Sequence, residues 1–511
     1  MLFHSRIVRA VTLILLFGLA LSIRLYDLTD LPLDFHPTRQ LLSAIKARAL
    51  YYRTHPDGIS TQQLAAGIAL AKLKAGVEPV IFERLVAYTY RFTGEQVWVA
   101  RIYSSLFWLI GGVFLFLLVR DLVSFDGAIF STAYYLFFPY VVIASRSFQP
   151  DPLMVMLLLA FWWMFARWIS LTANPSPPGR SRSTPEVRAG VRAALLAGLL
   201  GGFAIFIKFS AAFFVIGAAL GLALTRFNVR ELLKNGQIWA MALVGATPSL
   251  FYLYHGIRYG GLGGQFAGRF FPSLFLNPLN YVQWLTEVNL AAGGLFIMLA
   301  LLSFLLVKDR SLKGLMIGLW SAYILYGLFF NYHTATHDYY HLPFISIVAL
   351  SLGPLAGWAA AQWTETTSGY GRGVVYLILL YGLFSVIWEV RNQLKAVDYR
   401  PQAQMWAEIG EKLDHAPTAM GLIPDYGSRL EYYGFTSAGI WPTLDDLNYT
   451  ELRSGDAFVV RFRRLVRNKI YFLVTDFEEL KRQPKLSAHL VKYPVYAQGD
   501  GYIIYQLREK K

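Results

Sequence analysis

The chain has 511 residues, 55% of them hydrophobic and 15% charged, with a mean hydropathy of +0.42. A soluble domain carries roughly 25% charged residues, so this composition excludes an ordinary soluble protein, and the same hydrophobic excess excludes intrinsic disorder. The net charge of +15 has the sign of a nucleic-acid binder, but such modules are basic and polar rather than basic and apolar, and without cysteine disulfides, thiolate zinc sites and cysteine nucleophiles drop out.

Eleven apolar stretches approach the roughly 20 residues that a membrane-crossing helix needs. They run over 7–25, 100–119, 125–144, 151–170, 190–207, 209–226, 237–255, 288–307, 314–331, 342–363 and 373–390. Arg6 and Arg9 before the first apolar run also fit a signal peptide, but the later stretches already commit the chain to the bilayer. Asp126 and Pro139 interrupt the third stretch. The expected fold is a polytopic α-helical membrane protein of about 11 transmembrane helices, with a C-terminal extracytoplasmic α/β domain.

Lysine and arginine in short loops set orientation. With the N-terminus in the cytoplasm, the cytoplasmic loops hold Arg180, Arg182, Arg188 and Arg192, then Arg226, Arg230 and Lys234, then Lys308, Arg310 and Lys313. The outer loops 145–150, 207–209 and 331–341 are nearly free of such residues apart from Arg146 and Lys208. Eleven spans place the C-terminus outside. The soluble pieces 26–98 and 392–511 then share the outer face of a multi-pass cytoplasmic (inner) membrane protein of the cell envelope. The domains expected are a membrane module over 1–391, including the outer loop 26–98 with its interfacial helices, and an α/β domain over 392–511.

In the outer loop, Leu42, Ile45, Ala49 and Tyr52 recur at helical spacing over 38–53, with Arg39, Lys46 and Arg53 on another face. One apolar and one basic stripe suit a helix at the membrane interface, or an ordinary solvated face. A second helix starts at Glu78-Pro79, with proline suited to a first turn, and runs to about Phe92. The Pro- and Ser-rich stretch 174–185 reads as a cytoplasmic linker.

The tail alternates strands and helices, as in a small α/β domain. Helices are expected over 400–414, 429–433, 445–467 and 476–482. Strands are expected over 418–423, 439–441 and 470–474, and a hairpin over 495–496 and 502–506 turns at Gly499-Asp500-Gly501. The basic cluster Arg461, Arg463, Arg464, Arg467 and Lys469 fits either an anionic partner or a solvated helix face.

Ionisable residues in or beside spans are costly and are functional candidates by default. Asp34 follows the first span in Leu31-Pro32-Leu33-Asp34-Phe35-His36-Pro37-Thr38-Arg39-Gln40, and Asp151 opens the fourth in Phe148-Gln149-Pro150-Asp151-Pro152. Lys208 sits between the fifth and sixth. His333, His337, Asp338 and His341 lie between the ninth and tenth. The expected topology turns all of them outward. Each also has a plain role: Asp34 and Asp151 as helix caps, and Lys208 reaching for the interface. His333, His337 and His341 recur every four residues, so a continuous helix would align them. Two such histidines can ligate zinc, but no third ligand is apparent, and contact with an anionic headgroup is the alternative.

This arrangement resembles the dolichyl-phosphate-mannose-protein mannosyltransferases and their bacterial relatives, including the lipid A aminoarabinose transferase, all glycosyltransferases of the GT-C fold. Val99-Ala100-Arg101-Ile102-Tyr103-Ser104-Ser105-Leu106 resembles the family's arginine-containing start of the second span. Arg146 through Asp151-Pro152-Leu153 resembles its second acidic motif, and Phe206-Ile207-Lys208 its lysine turn. His337-Asp338-Tyr339-Tyr340-His341-Leu342-Pro343 is similar to its aromatic loop ending in Leu-Pro. The likeness runs through roughly residues 1–400. The first motif often reads Asp-Glu, whereas Asp34 precedes Phe35 and His36, which leaves open whether Asp34 or His36 holds the working position. Glu78-Pro79 stands where some relatives have Lys-Pro, so that lysine's phosphate contact is missing.

The resemblance implies transfer of a sugar from a polyprenyl-phosphate donor to an acceptor hydroxyl on a glycan, lipid or protein, on the extracytoplasmic side and with inversion. It implies Asp34 and Asp151 as catalytic residues, and Arg39, Arg146, Lys208 and His337 as donor-phosphate ligands. His36, Glu78, Asp338 and Tyr339 are further candidates. No cofactor is certain. A divalent metal stays open, since some GT-C enzymes use one and others do not. A secondary transporter and a non-catalytic scaffold are the alternatives. Transporters usually show repeats and broken helices near the midplane, whereas the charges here gather at one surface.

Overall fold

The computed structural model describes the chain except residues 1, 4, 75, 77, 174–183, 260–269, 367–368, 445, 448–456 and 509–511. Arg180, Arg182, nearly all of the 174–185 linker and much of the helix expected over 445–467 lie outside the described residues. In chain order the helices are α1 (Arg6–Leu25), α2 (Pro37–Tyr52), α3 (Thr61–Lys72), α4 (Ile81–Thr93), α5 (Trp98–Leu122), α6 (Phe125–Phe137), α7 (Pro139–Ala144) and α8 (Asp151–Ala173). Next come α9 (Thr184–Ile207), α10 (Ala211–Ala223), α11 (Val229–Lys234), α12 (Gly236–Tyr259), α13 (Pro278–Ala292), α14 (Gly294–Leu302) and α15 (Arg310–Phe329). The remainder are α16 (Asn331–Thr336), α17 (Leu342–Thr366), α18 (Gly369–Leu394), α19 (Arg400–Lys412), α20 (Ser428–Tyr433), α21 (Phe458–Leu465), α22 (Phe477–Arg482) and α23 (Pro484–Leu490).

Every apolar stretch expected to cross the membrane is helical, but the eleven differ in kind. Among the described residues, seven helices are long and apolar enough to cross, and α13 with the segment Gly294–Leu305 makes an eighth if the bent pair is one span. That pair bends by 87° at Gly293, whose φ of 73° suits glycine. The third stretch breaks into α6 and α7 because Pro139 forces Phe138 out of the helical region, to φ −54° and ψ 128°. Helix α10 has only 13 residues. Helix α12 carries Thr247-Pro248-Ser249 in its middle, which dilutes its apolar character.

Contacts divide the chain into two units. The first holds Met1–Leu28, Gly76–Ile81 and Arg101–Lys395, and the second Thr29–Ala75, Phe82–Ala100 and Ala396–Lys511. Most of the outer loop thus groups with the tail. In the first unit Asp126 accepts hydrogen bonds from the backbone N–H groups of Leu2 (2.8 Å) and Phe3 (3.3 Å), so the residue that interrupts the third stretch anchors the start of the chain. Helices α10 and α15 meet through Gly217 and Gly221 on one side and Gly314 and Gly318 on the other. A Cβ on Gly221 would run into the Gly314 carbonyl, and one on Gly318 into that of Gly217. Two small-xxx-small faces let the backbones approach, as helices in lipid favour.

The second unit carries a five-stranded sheet of order β2 (Gly439–Ile440), β1 (Ala419–Leu422), β3 (Tyr471–Val474), β5 (Tyr502–Gln506) and β4 (Val495–Gly499). The pairs β1–β2 and β1–β3 are parallel, and β3–β5 and β4–β5 antiparallel. Side chains alternate between sheet faces, so Ala419, Tyr471 and Leu473 pack with Trp406 and Ile409 of α19. Met420, Leu422, Phe472 and Val474 pack instead with Trp441, Phe462 and Leu486. The hairpin turns at Asp500-Gly501, with φ +84° at Gly501. Helices α3 and α23 were not expected from the sequence.

Helix α2 differs from the interfacial expectation. Lys46 and Arg48 are buried along with Leu41, Ile45 and Ala49, so the helix is enclosed on most sides rather than exposing a continuous basic stripe. In the basic cluster, Arg461 is likewise buried, whereas Arg463, Arg464 and Arg467 are exposed.

Candidate functional site

In the first unit the sequence candidates converge on one ion pair. Asp151 opens α8, where a carboxylate meets the positive end of the helix dipole, and Lys208 follows the last residue of α9, where a cation meets the negative end. The Lys208 Nζ donates to Asp151 Oδ1 at 2.7 Å, and both side chains are buried. The ammonium also lies 5.2 Å from the Tyr339 ring centre and 4.9 Å from that of Tyr340, distances at which a desolvated cation is attracted to a ring face. Among the described residues, the buried Asp151 Oδ2 has no hydrogen-bond partner, and the same holds for both amide atoms of Gln149. Orphaned buried polar atoms are rare and call for a reason. Tyr140, from α7, lies within electrostatic reach of Asp338, Asp151 and Glu287.

The histidine series does not form one helical face. Helix α16 ends at Thr336, His337 is extended at φ −140° and ψ 105°, and a short 3-10 turn covers Asp338–His341. His341 is buried, with Nδ1 2.8 Å from the Tyr323 hydroxyl and Nε2 2.9 Å from the Thr334 carbonyl. Both ring nitrogens are therefore engaged inside the protein. His337 is half-buried, its Nδ1 2.7 Å from Thr336 Oγ1. Among the described residues no group of three or more His, Asp or Glu side chains is arranged to hold a metal ion.

Arg146 is fully buried. Its Nη1 donates to the Tyr26 carbonyl at 2.8 Å and its Nη2 to the Asp27 carbonyl at 2.9 Å. Arg101 reaches the carbonyls of Asp27 and Leu28, at 3.4 and 3.2 Å. Both arginines therefore hold the chain as it leaves α1. Glu78, with Pro79, lines a small cavity beside Phe206, Ile207 and Tyr252, in the segment that runs into Lys208.

Asp34 belongs to the second unit. It is half-buried, and its Oδ1 accepts from Gln40 Nε2 at 3.2 Å. Gln40 also donates to the Phe35 carbonyl at 2.6 Å, which steadies the turn. His36 takes a left-handed φ of 44° immediately before Pro37, a strained position for a residue with a side chain. Arg39 follows in the first turn of α2. Asp30 Oδ1 accepts from the backbone N–H groups of Leu31 (2.8 Å) and Tyr399 (3.0 Å). Burial raises the pKa of the Tyr399 phenol, and Asp34 raises it further.

Sequence reading missed Gln40, Gln149, Tyr140 and Tyr340 as site residues. Gln40, Gln149 and Tyr340 stand inside the motifs around Asp34, Asp151 and His337, but nothing local separates a partnered side chain from an orphaned one. It also missed a buried cluster in the second unit. Arg48 Nε donates to Glu95 Oε1 at 2.7 Å and Nη1 to the Tyr432 carbonyl, while the Tyr432 hydroxyl donates to Glu95 Oε1 at 2.6 Å. Nearby, Lys74 pairs with Glu431.

With this geometry in hand, residues 77–176 match the family described as dolichyl-phosphate-mannose-protein mannosyltransferase. No curated protein sequence matches the chain. ArnT from Cupriavidus metallidurans in the apo state superimposes with a TM-score of 0.56 at 17% identity, covering 96% of this chain and 97% of that one. The same protein bound to undecaprenyl phosphate gives 0.54 at 15% identity, with the same coverage. The oligosaccharyltransferase AglB from Archaeoglobus fulgidus, in complex with an inhibitory peptide and a dolichol-phosphate, gives 0.54 at 11% identity, covering 99% of this chain and 75% of that one. The chain is a helical membrane protein with the GT-C fold of ArnT, and part of it matches the mannosyltransferase family.

Proposed function

We propose that the chain is a membrane glycosyltransferase that moves a sugar from a polyprenyl-phosphate donor to an acceptor hydroxyl, outside the cytoplasm and with inversion. The observation that carries this reading is the buried Lys208–Asp151 pair beneath Tyr339 and Tyr340. A lysine so held can meet charge that grows on a leaving phosphate without reorganising, which is where preorganised charge stabilises a transition state most. An apolar groove of about 640 Å³ between α10 and α15 offers room for the lipid tail. Its Phe213 packs on Tyr326 (5.8 Å between ring centres), which stacks on Tyr340 (6.3 Å). That aromatic chain leads from the groove to the Lys208 ammonium. The undecaprenyl phosphate bound to ArnT and the dolichol-phosphate bound to AglB support a donor of this class.

In this reading the acceptor oxygen bonds to the anomeric carbon as the carbon–oxygen bond to phosphate breaks. The acceptor proton passes to Asp34, and polyprenyl phosphate leaves. One displacement inverts the centre, since no second carboxylate serves as nucleophile. Lys208 receives the phosphate and Asp151 orients Lys208. Arg146 and Arg101 act as positioning residues. Arg39, His36, His337, Asp338, Tyr339 and Glu78 remain candidates for contact with donor or acceptor.

Labelled polyprenyl-phosphate sugar, given to the purified chain with acceptor, tests this. Polyprenyl phosphate should appear in step with glycosylated acceptor, and Asp34→Asn should slow transfer about 10²–10⁴-fold while donor binding persists. Full activity in Asp34→Asn would remove that residue as the base. A donor carried across a sealed vesicle with its anomeric bond intact would replace the enzyme by a transporter. Ser321→Trp, which fills the groove, should raise KM for a long-chain donor and leave a short-chain donor unaffected.

A further inference from the structure

A second polar cavity lies in the first unit, at the other end of α8. It has a volume of about 410 Å³ and is lined by Leu118, Arg120, Asp121 and Leu122 of α5 and by Trp163, Ala166, Arg167 and Ser170 of α8. Arg167 is 16 residues beyond Asp151 on one helix, so it sits about 24 Å further along the axis at 1.5 Å per residue. That distance nearly crosses a hydrocarbon core of about 30 Å. On the topology expected from the charge pattern, this is the cytoplasmic interface, and Lys208 faces the opposite leaflet.

The lining is built rather than accidental. Trp163 Nε1 donates to Asp121 Oδ2 at 3.1 Å. The other carboxylate oxygen, Oδ1, accepts from Arg120 Nε at 3.0 Å and from Nη2 at 2.7 Å. Arg167 lies over the Trp163 ring, 5.1 Å from its centre, and Phe114 packs against the same indole at 5.7 Å. Arg167 meets no carboxylate among the described residues. Asp121 balances Arg120, so the cavity carries one uncompensated positive charge. Leu122 and Ala166, both partly exposed, supply an apolar wall beside it.

Complementing the helix C-terminal dipoles accounts for two arginines near helix ends. It does not account for an indole fixed by a carboxylate and covered by a guanidinium, around a cavity half polar and half apolar. We propose that the cavity binds the headgroup of an anionic phospholipid, with the single phosphodiester charge on Arg167 and Arg120 and the first acyl carbons along Leu122 and Ala166. Basic pockets between helices on the cytoplasmic side take anionic headgroups for this reason. The apolar wall favours a lipid over free phosphate.

Native mass spectrometry on the delipidated full chain tests the proposal, with added phosphatidylglycerol, phosphatidylcholine or inorganic phosphate. Phosphatidylglycerol should be retained in preference to phosphatidylcholine. Arg120→Gln with Arg167→Gln should weaken that retention about 10- to 30-fold, whereas Arg120→Lys with Arg167→Lys should keep most of it. Equal retention of the two lipids, or unchanged retention in the glutamine variant, would overturn the proposal. Displacement of the lipid by inorganic phosphate at equal concentration would reassign the cavity to a free anion. The glycosyl-transfer reading is independent: transfer should persist in both variants.

Discussion

Two buried ion pairs, one in each unit, carry different lessons. Lys208–Asp151 and Arg48–Glu95 are both largely hidden from solvent, with side-chain exposures of 8% and 1% in the first and 7% and 14% in the second. Burial does not separate them; completeness does. Around Arg48, Nε donates to Glu95 and Nη1 to the Tyr432 carbonyl, and the Tyr432 and Phe435 rings close over the guanidinium at 3.8 and 4.4 Å. Burial works against the Arg48 cation, and Glu95 with Tyr432 and Tyr52 more than offsets it, so the net pKa shift is upward. Around Lys208 the ring faces cover the cation, yet Asp151 Oδ2 has no partner among the described residues. A complete pair fixes structure, and an incomplete one retains capacity for a ligand.

The contrast breaks or sharpens under substitution. The largest effect is expected from Arg48→Ala, which leaves Glu95 buried without its cation. Removing one partner of a buried pair costs about 3–5 kcal/mol, read as a lower unfolding midpoint in detergent. Arg48→Lys should recover part of this, since it keeps the charge and loses the fork. An unchanged midpoint in Arg48→Ala would place the two pairs in one class.

Next in size is Lys208→Met, expected to slow transfer about 10²–10³-fold and also to lower the unfolding midpoint, because Asp151 is left buried without its cation. Adding Asp151→Asn should restore stability without restoring transfer. A double variant that regains transfer would make this pair structural and erase the distinction.

The smallest effect concerns Glu431, beside Lys74. Burial raises its pKa, and Lys74 only partly opposes the rise. The unfolded chain therefore loses this proton first, from about pH 4.3 upward. The stability linked to the group is full below that pH and is lost as pH rises through the raised folded value. Glu431→Gln should flatten that slope in unfolding measurements. A slope that persists in the variant would assign it to another group.

How much was legible beforehand depends on the range of the interaction. The strands around Tyr471–Val474 and Tyr502–Gln506 were read within one or two residues, because a short β-rich apolar run and a Gly-Asp-Gly turn are local signals. Asp151 and Lys208 were found because a charge beside an apolar run stands out. Their pairing was not found, because 57 residues separate them and only helix packing closes the gap. Arg146 stood out in the same way, but the reach of its donors to the Tyr26 and Asp27 carbonyls, 120 and 119 residues away, leaves no trace in the spacing. The histidine spacing suggested one helical face, and the break at His337 removed it.

The sequence by itself determined that the chain enters a membrane, where its long apolar helices lie and that its tail forms an α/β domain. Those follow from composition, from runs of apolar residues and from periodicity, all properties of neighbouring residues. Only the tertiary structure decided which charges are partnered, which apolar stretches break, and that most of the outer loop groups with the tail. Partnership depends on contacts such as Arg48 with Tyr432, 384 residues apart, and spacing along the chain carries no information at that range.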